Sequence, residues 1–424
     1  MSETATLYER SSRIGYTVGS FHMPEVIAER GEGARIYDAA GRSFIDYLLG
    51  SGPALLGYAH PEVNAAMVEQ IGRGTHFYVL NRQAIELGEK LCEIIPCAQE
   101  AKFLLSGSEA TQHSLRMVRA FTGKKKVMKF EGSFHGTNDY SMMSAFTPSK
   151  GYPRPEPDSV GIPEEFQDLV LVAPWNDLDT FRKILSEHAH ELAAVICEPV
   201  QRIIPPAPGF LEAVRELTRE YGVILIFDEM VTGFRMGLGG AQAVYGVIPD
   251  LAIFGKALTN GLPMTTIVGR ADILDVARPQ AERTGNGPAI FYGGTLNGNA
   301  LSAAAALAVI KVLERPGTYE NLAATTSRIR EGLAASAARH GLPFKAVGVD
   351  TFFHVYFKDQ PVNNLRESMA AMSPLNALFQ KECVKRGVLH HRGKFYFSTV
   401  LTEADIAETL QVFDDAMAAM AAQA

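Results

Sequence analysis

Two side chains set the chemical question. Asp228 follows the apolar run 223–227, and Lys256 follows the run 251–254 after a single glycine, Gly255. A carboxylate and a primary amine at two strand ends can act on one ligand: the amine condenses with a carbonyl or moves a proton, and the acid holds positive charge nearby. Spacing alone leaves two plainer readings open. One is an ordinary ion pair at the strand ends, because buried charges are usually paired. The other is a magnesium ion held by Asp228.

The elements that position these groups read as an α/β fold with a mostly parallel sheet. Residues 223–227 form an unbroken apolar, β-branched run, as expected of a strand buried on both faces, and 251–254 form a second, shorter one. In open sheets of this kind ligands sit beyond the carboxyl ends of the strands. The run 193–197 ends in Glu198 and is stopped by Pro199. A further strand ending near Leu105 turns through SGSEA (106–110) into a helix. There Ser106 and Glu109 have capping-box spacing, and Ala110, Ser114, Leu115, Val118 and Phe121 keep helical periodicity. The start of such a helix offers free N–H groups and the positive dipole end to an anion, and Gly107 lets the ligand come close.

These motifs recur in a recognisable order. DEMVTGFR (228–235), Pro249-Asp250 and GKALTNGLP (255–263) together resemble the signature of the class III pyridoxal phosphate-dependent aminotransferases, within them the subgroup of glutamate-1-semialdehyde aminomutase. The resemblance runs from Gly31 to about Ile406. It implies fold type I, with an N-terminal arm and hairpin (1–60) belonging to a small domain, a large cofactor domain (61–310) and an α+β C-terminal small domain (311–424). It implies pyridoxal 5'-phosphate as cofactor, with Lys256 as the Schiff-base lysine and Asp228 as the acid that keeps the pyridine nitrogen protonated, so that the ring accepts electrons. Ser106, Gly107 and Ser108 would form the phosphate cup. Phe134, in FHG (134–136) with His135, would stack on one ring face and Met230 would pack on the other. Glu198 would tune the ring hydroxyl. Thr295, in GTLNGN (294–299), would reach the phosphate of a partner's cofactor and make the protein a homodimer with shared sites.

Length and composition agree. A chain of 424 residues exceeds one ordinary domain. A formal net charge of -7 argues against nucleic-acid or anionic-membrane partners and leaves small metabolites as ligands. Cys92, Cys97, Cys197 and Cys383 are too few and scattered for a disulfide framework and lack zinc spacing. No secretory leader is evident, and the longest apolar stretch, 303–310, is far short of the ~20 residues that span a bilayer, so the expected location is cytoplasmic.

Elsewhere the sequence predicts a polar arm over residues 1–30, with Arg13, Tyr16, Phe21 and His22. It predicts a surface excursion over 147–163 that lines the entrance, and a loop over 359–373. Helices are expected over 62–70, 181–190, 212–221, 303–314, 322–340 and 372–385. His390, His391 and Arg392 fall where relatives vary with substrate. Adjacent histidines point apart on a strand, which disfavours a metal, while Arg392 could hold a substrate carboxylate or lie on the surface. The expected activity is transamination between an amino donor and a keto acid, ketone or aldehyde acceptor. An intramolecular aminomutase, a racemase or decarboxylase, and a noncatalytic protein of the same fold are the alternatives.

Overall fold

The computed structural model describes residues 3–14, 26–283 and 287–423. Among them fourteen strands form three sheets, in chain order β1 (Ala28–Glu32), β2 (Arg35–Asp38), β3 (Ser43–Asp46), β4 (Glu100–Leu104), β5 (Lys126–Phe130), β6 (Val170–Ala173), β7 (Leu192–Cys197), β8 (Ile224–Asp228), β9 (Leu251–Phe254), β10 (Thr265–Gly269), β11 (Lys345–Val349), β12 (Phe352–Tyr356), β13 (Val388–Leu389) and β14 (Lys394–Tyr396). The central sheet has the order β4-β10-β9-β8-β7-β5-β6. Its strands run parallel from β9 through β6, while β10 is antiparallel to both β9 and β4.

The pattern of β8 explains its place in the middle. Ile224 and Ile226 pack on one face with Leu115 and Val118 of the helix Gly107–Thr122; Leu225 and Phe227 pack on the other with Val214 and Leu217 of the helix Phe210–Glu220. Both faces are covered, so an all-apolar strand is the stable choice. Asp228 is the last residue of β8 and lies opposite Ile253 of β9, so β9 delivers Lys256 to the same end of the sheet.

Two departures from the sequence expectation have clear causes. Residues 265–269 form β10, whose TTIVG composition suits a strand and whose antiparallel run closes the sheet onto β4. Residues 359–373, expected as a loop, contain the helix Leu365–Ala371, capped by the Asn364 side chain accepting the N–H of Glu367. Arg366 on this short helix forms a two-point ion pair at 2.9 Å with buried Glu131, and this tertiary contact holds a helix too short to persist alone.

The first three strands form a small sheet closed by β13, which pairs in parallel with β3 (Val388 opposite Ile45). β11, β12 and β14 form an antiparallel sheet of their own. The pairing of β3 with β13 ties the N-terminal hairpin to the C-terminal region and supports, as a proposal, grouping 1–60 with 311–424 around a large domain of 61–310. Tyr47 reinforces that junction, its ring edge-on to Phe395 and Phe397 and its hydroxyl 2.8 Å from Thr409. No helix among the described residues is long and apolar enough to cross a membrane.

Candidate active site

A cavity of about 1490 Å³ opens at the carboxyl end of β7, β8 and β9, and its wall includes Asp228, Lys256, Glu198, His135 and Phe134. Asp228 and Lys256 are therefore brought to one space. They do not form the ion pair that spacing alone left open. The Asp228 Oδ2 atom meets His135 Nδ1 at 2.7 Å and its Oδ1 atom accepts the N–H of Met230 at 3.1 Å. His135 is buried, and its other ring nitrogen, Nε2, has no partner among the described residues. A carboxylate held from behind in this way keeps a fixed direction toward the cavity.

Lys256 sits at a left-handed backbone position, φ 49°, in the turn after β9. Its Nζ forms no hydrogen bond or ion pair among the described residues. Burial lowers the pKa of this amine below its ordinary value, while Tyr396, Asp228 and Glu198 pull it back up and Lys394 pushes the same way as burial. An unpaired amine in a cavity, its pKa lowered by burial, is suited to act as a nucleophile. Gly255 before it cannot be replaced lightly: a Cβ there would lie 2.8 Å from the Sδ and Cε atoms of Met230 and 2.8 Å from Thr265 Cγ2.

On the far wall the helix Gly107–Thr122 begins. Ser106 is spent on the cap, its hydroxyl accepting the N–H of Glu109 while the Glu109 carboxylate takes the N–H of Ser106. This leaves the N–H groups of Gly107 and Ser108 without partners among the described residues, both residues lining the cavity. Ser108 Oγ accepts the N–H of Thr137 at 2.9 Å. Ser106 itself is not part of the wall; it shapes the cup rather than lining it. Met230 and Phe134 line the cavity, and Glu198 anchors the Phe134 loop by accepting its N–H at 2.7 Å.

These features suit a phosphorylated pyridine aldehyde: free helix N–H groups for the phosphate, an oriented acid for the ring nitrogen, apolar side chains for the ring faces and an unpaired amine for the aldehyde. Gly136 provides one check. With φ 91° and a position where a Cβ would come within 2.5 Å of Ser108 Oγ and 2.6 Å of Ser108 Cα, it must remain glycine for the cup to keep its shape. Gly136→Ala should weaken cofactor affinity about 10- to 100-fold, in line with ~1–3 kcal/mol of backbone strain. Equilibrium titration of the apo form with the cofactor measures it.

Other expected positions lie apart. Thr295 is exposed and outside the cavity wall. Arg392 is also exposed, on a turn with φ 47° where its N–H meets the Gln380 side chain, and it does not line the cavity. His390 is buried between Phe379 and Phe395, with the N–H of Gly393 on its Nδ1. Among the described residues no group of three or more His, Cys, Asp or Glu could hold a metal ion. From the excursion 147–163 no residue reaches the wall; Phe146, just before it, does. In the arm, Leu7, Tyr8, Arg10, Ser11 and Ile14 line the cavity but Arg13 does not, while Tyr16, Phe21 and His22 lie outside the described residues.

Sequence reasoning missed Arg202, Lys394 and Tyr396 as wall residues. Lys394 and Tyr396 are two apart on β14, the period that puts strand side chains on one face, and this signal was available. Burial would raise the Tyr396 phenol, but Lys394, Lys256 and Arg235 bring it below its ordinary value. Arg202 follows Glu198 by four residues in irregular chain, and no periodicity marks it.

Comparison with known proteins gives this cavity its context. The family profile of aminotransferase class-III matches residues 16–417. Glutamate-1-semialdehyde 2,1-aminomutase 2 of Brevibacillus brevis is 37% identical over 400 residues, 92% of this chain and 91% of that protein. The crystal structure of an omega-transaminase from Sphaerobacter thermophilus superposes with a TM-score of 0.92 at 31% identity, covering 98% of this chain and 97% of that one. A solved transaminase with PLP bound superposes with a TM-score of 0.89 at 26% identity, covering 99% and 98%. An amine, an acid and a helix start converging on one cavity, in a chain with this profile, leave one assignment: the protein belongs to the class-III aminotransferases, enzymes that use pyridoxal phosphate.

Proposed function

We propose that the protein is a transaminase that moves an amino group from an amino acid or amine to a keto acid, ketone or aldehyde. The observation that carries this reading is the unpaired Lys256 amine facing the same cavity as the Asp228–His135 pair. When bound, the cofactor supplies an aldehyde that accepts amino groups and a ring that stores the electron pair left by a departing proton. Lys256 holds the cofactor at rest. The same amine, when not bonded to the cofactor, would serve as the general acid and base that moves the substrate's proton. Asp228, oriented by His135, would hold the ring nitrogen and keep it protonated, and Glu198 fixes the Phe134 loop by accepting the Phe134 N–H. Gly107, Ser108 and the dipole of their helix hold the phosphate.

One finding favours a second reading: the curated relative from Brevibacillus brevis is named an aminomutase. A panel of amino donors, run with and without a carbonyl acceptor and followed by cofactor absorbance, separates the two. A transaminase stalls after one half-reaction when the acceptor is omitted. Continued turnover of an amino aldehyde without acceptor would replace transamination with the aminomutase reaction.

The reading includes a homodimer. Tyr78, Val79, Leu80 and Phe291 are apolar side chains 71–87% exposed, which a partner subunit would cover, and Thr295 lies in the same exposed stretch as Phe291. With the partner seated there, Thr295 would complete the partner's phosphate cup. Sedimentation should give twice the chain mass, and Thr295→Ala should lower cofactor affinity about 10-fold, the effect of one lost hydrogen bond to a charged group.

A further inference from the structure

One cation on the cavity wall has no task in amino-group transfer. Arg202 adopts a left-handed backbone, φ 59°, and lines the cavity together with Phe134. Its Nε donates to the Gly132 carbonyl at 2.9 Å and its Nη2 to the Ala145 carbonyl at 3.4 Å. The Phe134 and Phe146 ring centroids lie 5.0 and 4.9 Å from the guanidinium carbon. These contacts fix the guanidinium plane without neutralising it. Among the described residues no carboxylate forms an ion pair with it, and Nη1 has no partner. Glu198 accepts the backbone N–H of Arg202 at 3.1 Å and that of Phe134, so its oxygens are committed elsewhere.

The neighbourhood sharpens the need for an anion. Lys129 is buried nearby, its ammonium donating only to the Ser141 and Met143 carbonyls at 2.8 Å each. Burial, with Arg202 pushing the same way against Asp158 and Glu198, lowers its pKa to about 7. The cofactor phosphate does not answer the need, because the start of the helix Gly107–Thr122 already provides its cup. Another cation of the wall without an ion-pair partner, Lys394, lies 4.9 Å from the Tyr396 ring. It is a point charge on a flexible stem, whereas a planar, pre-oriented guanidinium matches the two oxygens of a carboxylate.

We propose that Arg202 reads the carboxylate of an amino-acid substrate, whose apolar part lies against Phe146. This rests on the reading above that the cavity exchanges amino groups on pyridoxal phosphate. It selects amino acids over simple amines as the substrate class and makes Arg202 a specificity-determining residue.

The test uses two reagents with the same nucleophile, aminooxyacetate and O-methylhydroxylamine, which differ by a carboxylate. Both capture the lysine-bound aldehyde of the holoenzyme and shift its visible absorbance, so no knowledge of the natural substrate is needed. In the wild type aminooxyacetate should react faster at low concentration. In Arg202→Gln the ratio of the two rates should fall about 30-fold or more, the loss that accompanies an unpaired charge contact. Arg202→Lys should fall less, and serves if the first variant does not fold. Cofactor content is measured for each. An unchanged ratio in either variant overturns the proposal, as does a wild-type ratio near one or a collapse in Lys394→Met instead. A wild type that binds no cofactor and reacts with neither reagent sinks the amino-transfer reading itself, and the role of Arg202 with it.

Discussion

Lys256→Ala should lose the visible absorbance of lysine-bound cofactor and at least about 10⁴-fold in turnover, because one substitution removes both the anchoring amine and the general acid/base. The amine forms no hydrogen bond or ion pair among the described residues, so the variant should still fold, which circular dichroism of the apo form checks. Activity and absorbance both surviving would assign the chemistry to another group. The lowered pKa of Lys256 adds a pH signature. Only the neutral amine captures an aldehyde, so cofactor uptake by the apo form should rise with pH and level off below the ordinary lysine value of 10.5. The linked effect on stability has the same direction. Between the lowered folded value and the unfolded one the unfolded chain binds more protons, so this residue's contribution to apo stability rises with pH across that window. A stopped-flow series from pH 6 to pH 10.5 measures the uptake.

Asp228→Asn should retain cofactor yet lose on the order of 10³-fold in turnover. The side chain keeps its shape and can still bond to His135, but it no longer carries charge. An ion pair at contact is worth about 4 kcal/mol at an effective dielectric near 20, which is close to three decades in rate. His135→Asn should cause a smaller loss, since His135 touches the acid and orients it. Near-wild-type turnover in Asp228→Asn would remove the carboxylate from its assigned role.

How much of this was legible in the sequence depends on the range of the interaction that decides it. The span Leu251–Phe254 and the capping box of Ser106 and Glu109 were readable because each is decided by neighbours in the chain. The convergence of Asp228 and Lys256 was readable because parallel strands present their carboxyl ends together. The helix Leu365–Ala371 was not, since a partner more than two hundred residues earlier, Glu131, holds it in place. Nor could spacing alone show that His135, rather than Lys256, pairs with Asp228. Arg202 is the sharpest case: an arginine in irregular chain has no period, and only three dimensions show two carbonyls and two rings aligning it while its charge stays unanswered.

The parallel pairing of β3 with β13 bears on how the chain is made. Val388 emerges from the ribosome 343 residues after Ile45, so at ~5–20 residues per second the hairpin waits tens of seconds with one edge unsatisfied. An open edge invites pairing with other nascent chains. Synthesis cut short before residue 388 would leave that edge permanently bare, which gives the segment carrying β13 a protective part in biogenesis as well as a place near the catalytic pocket.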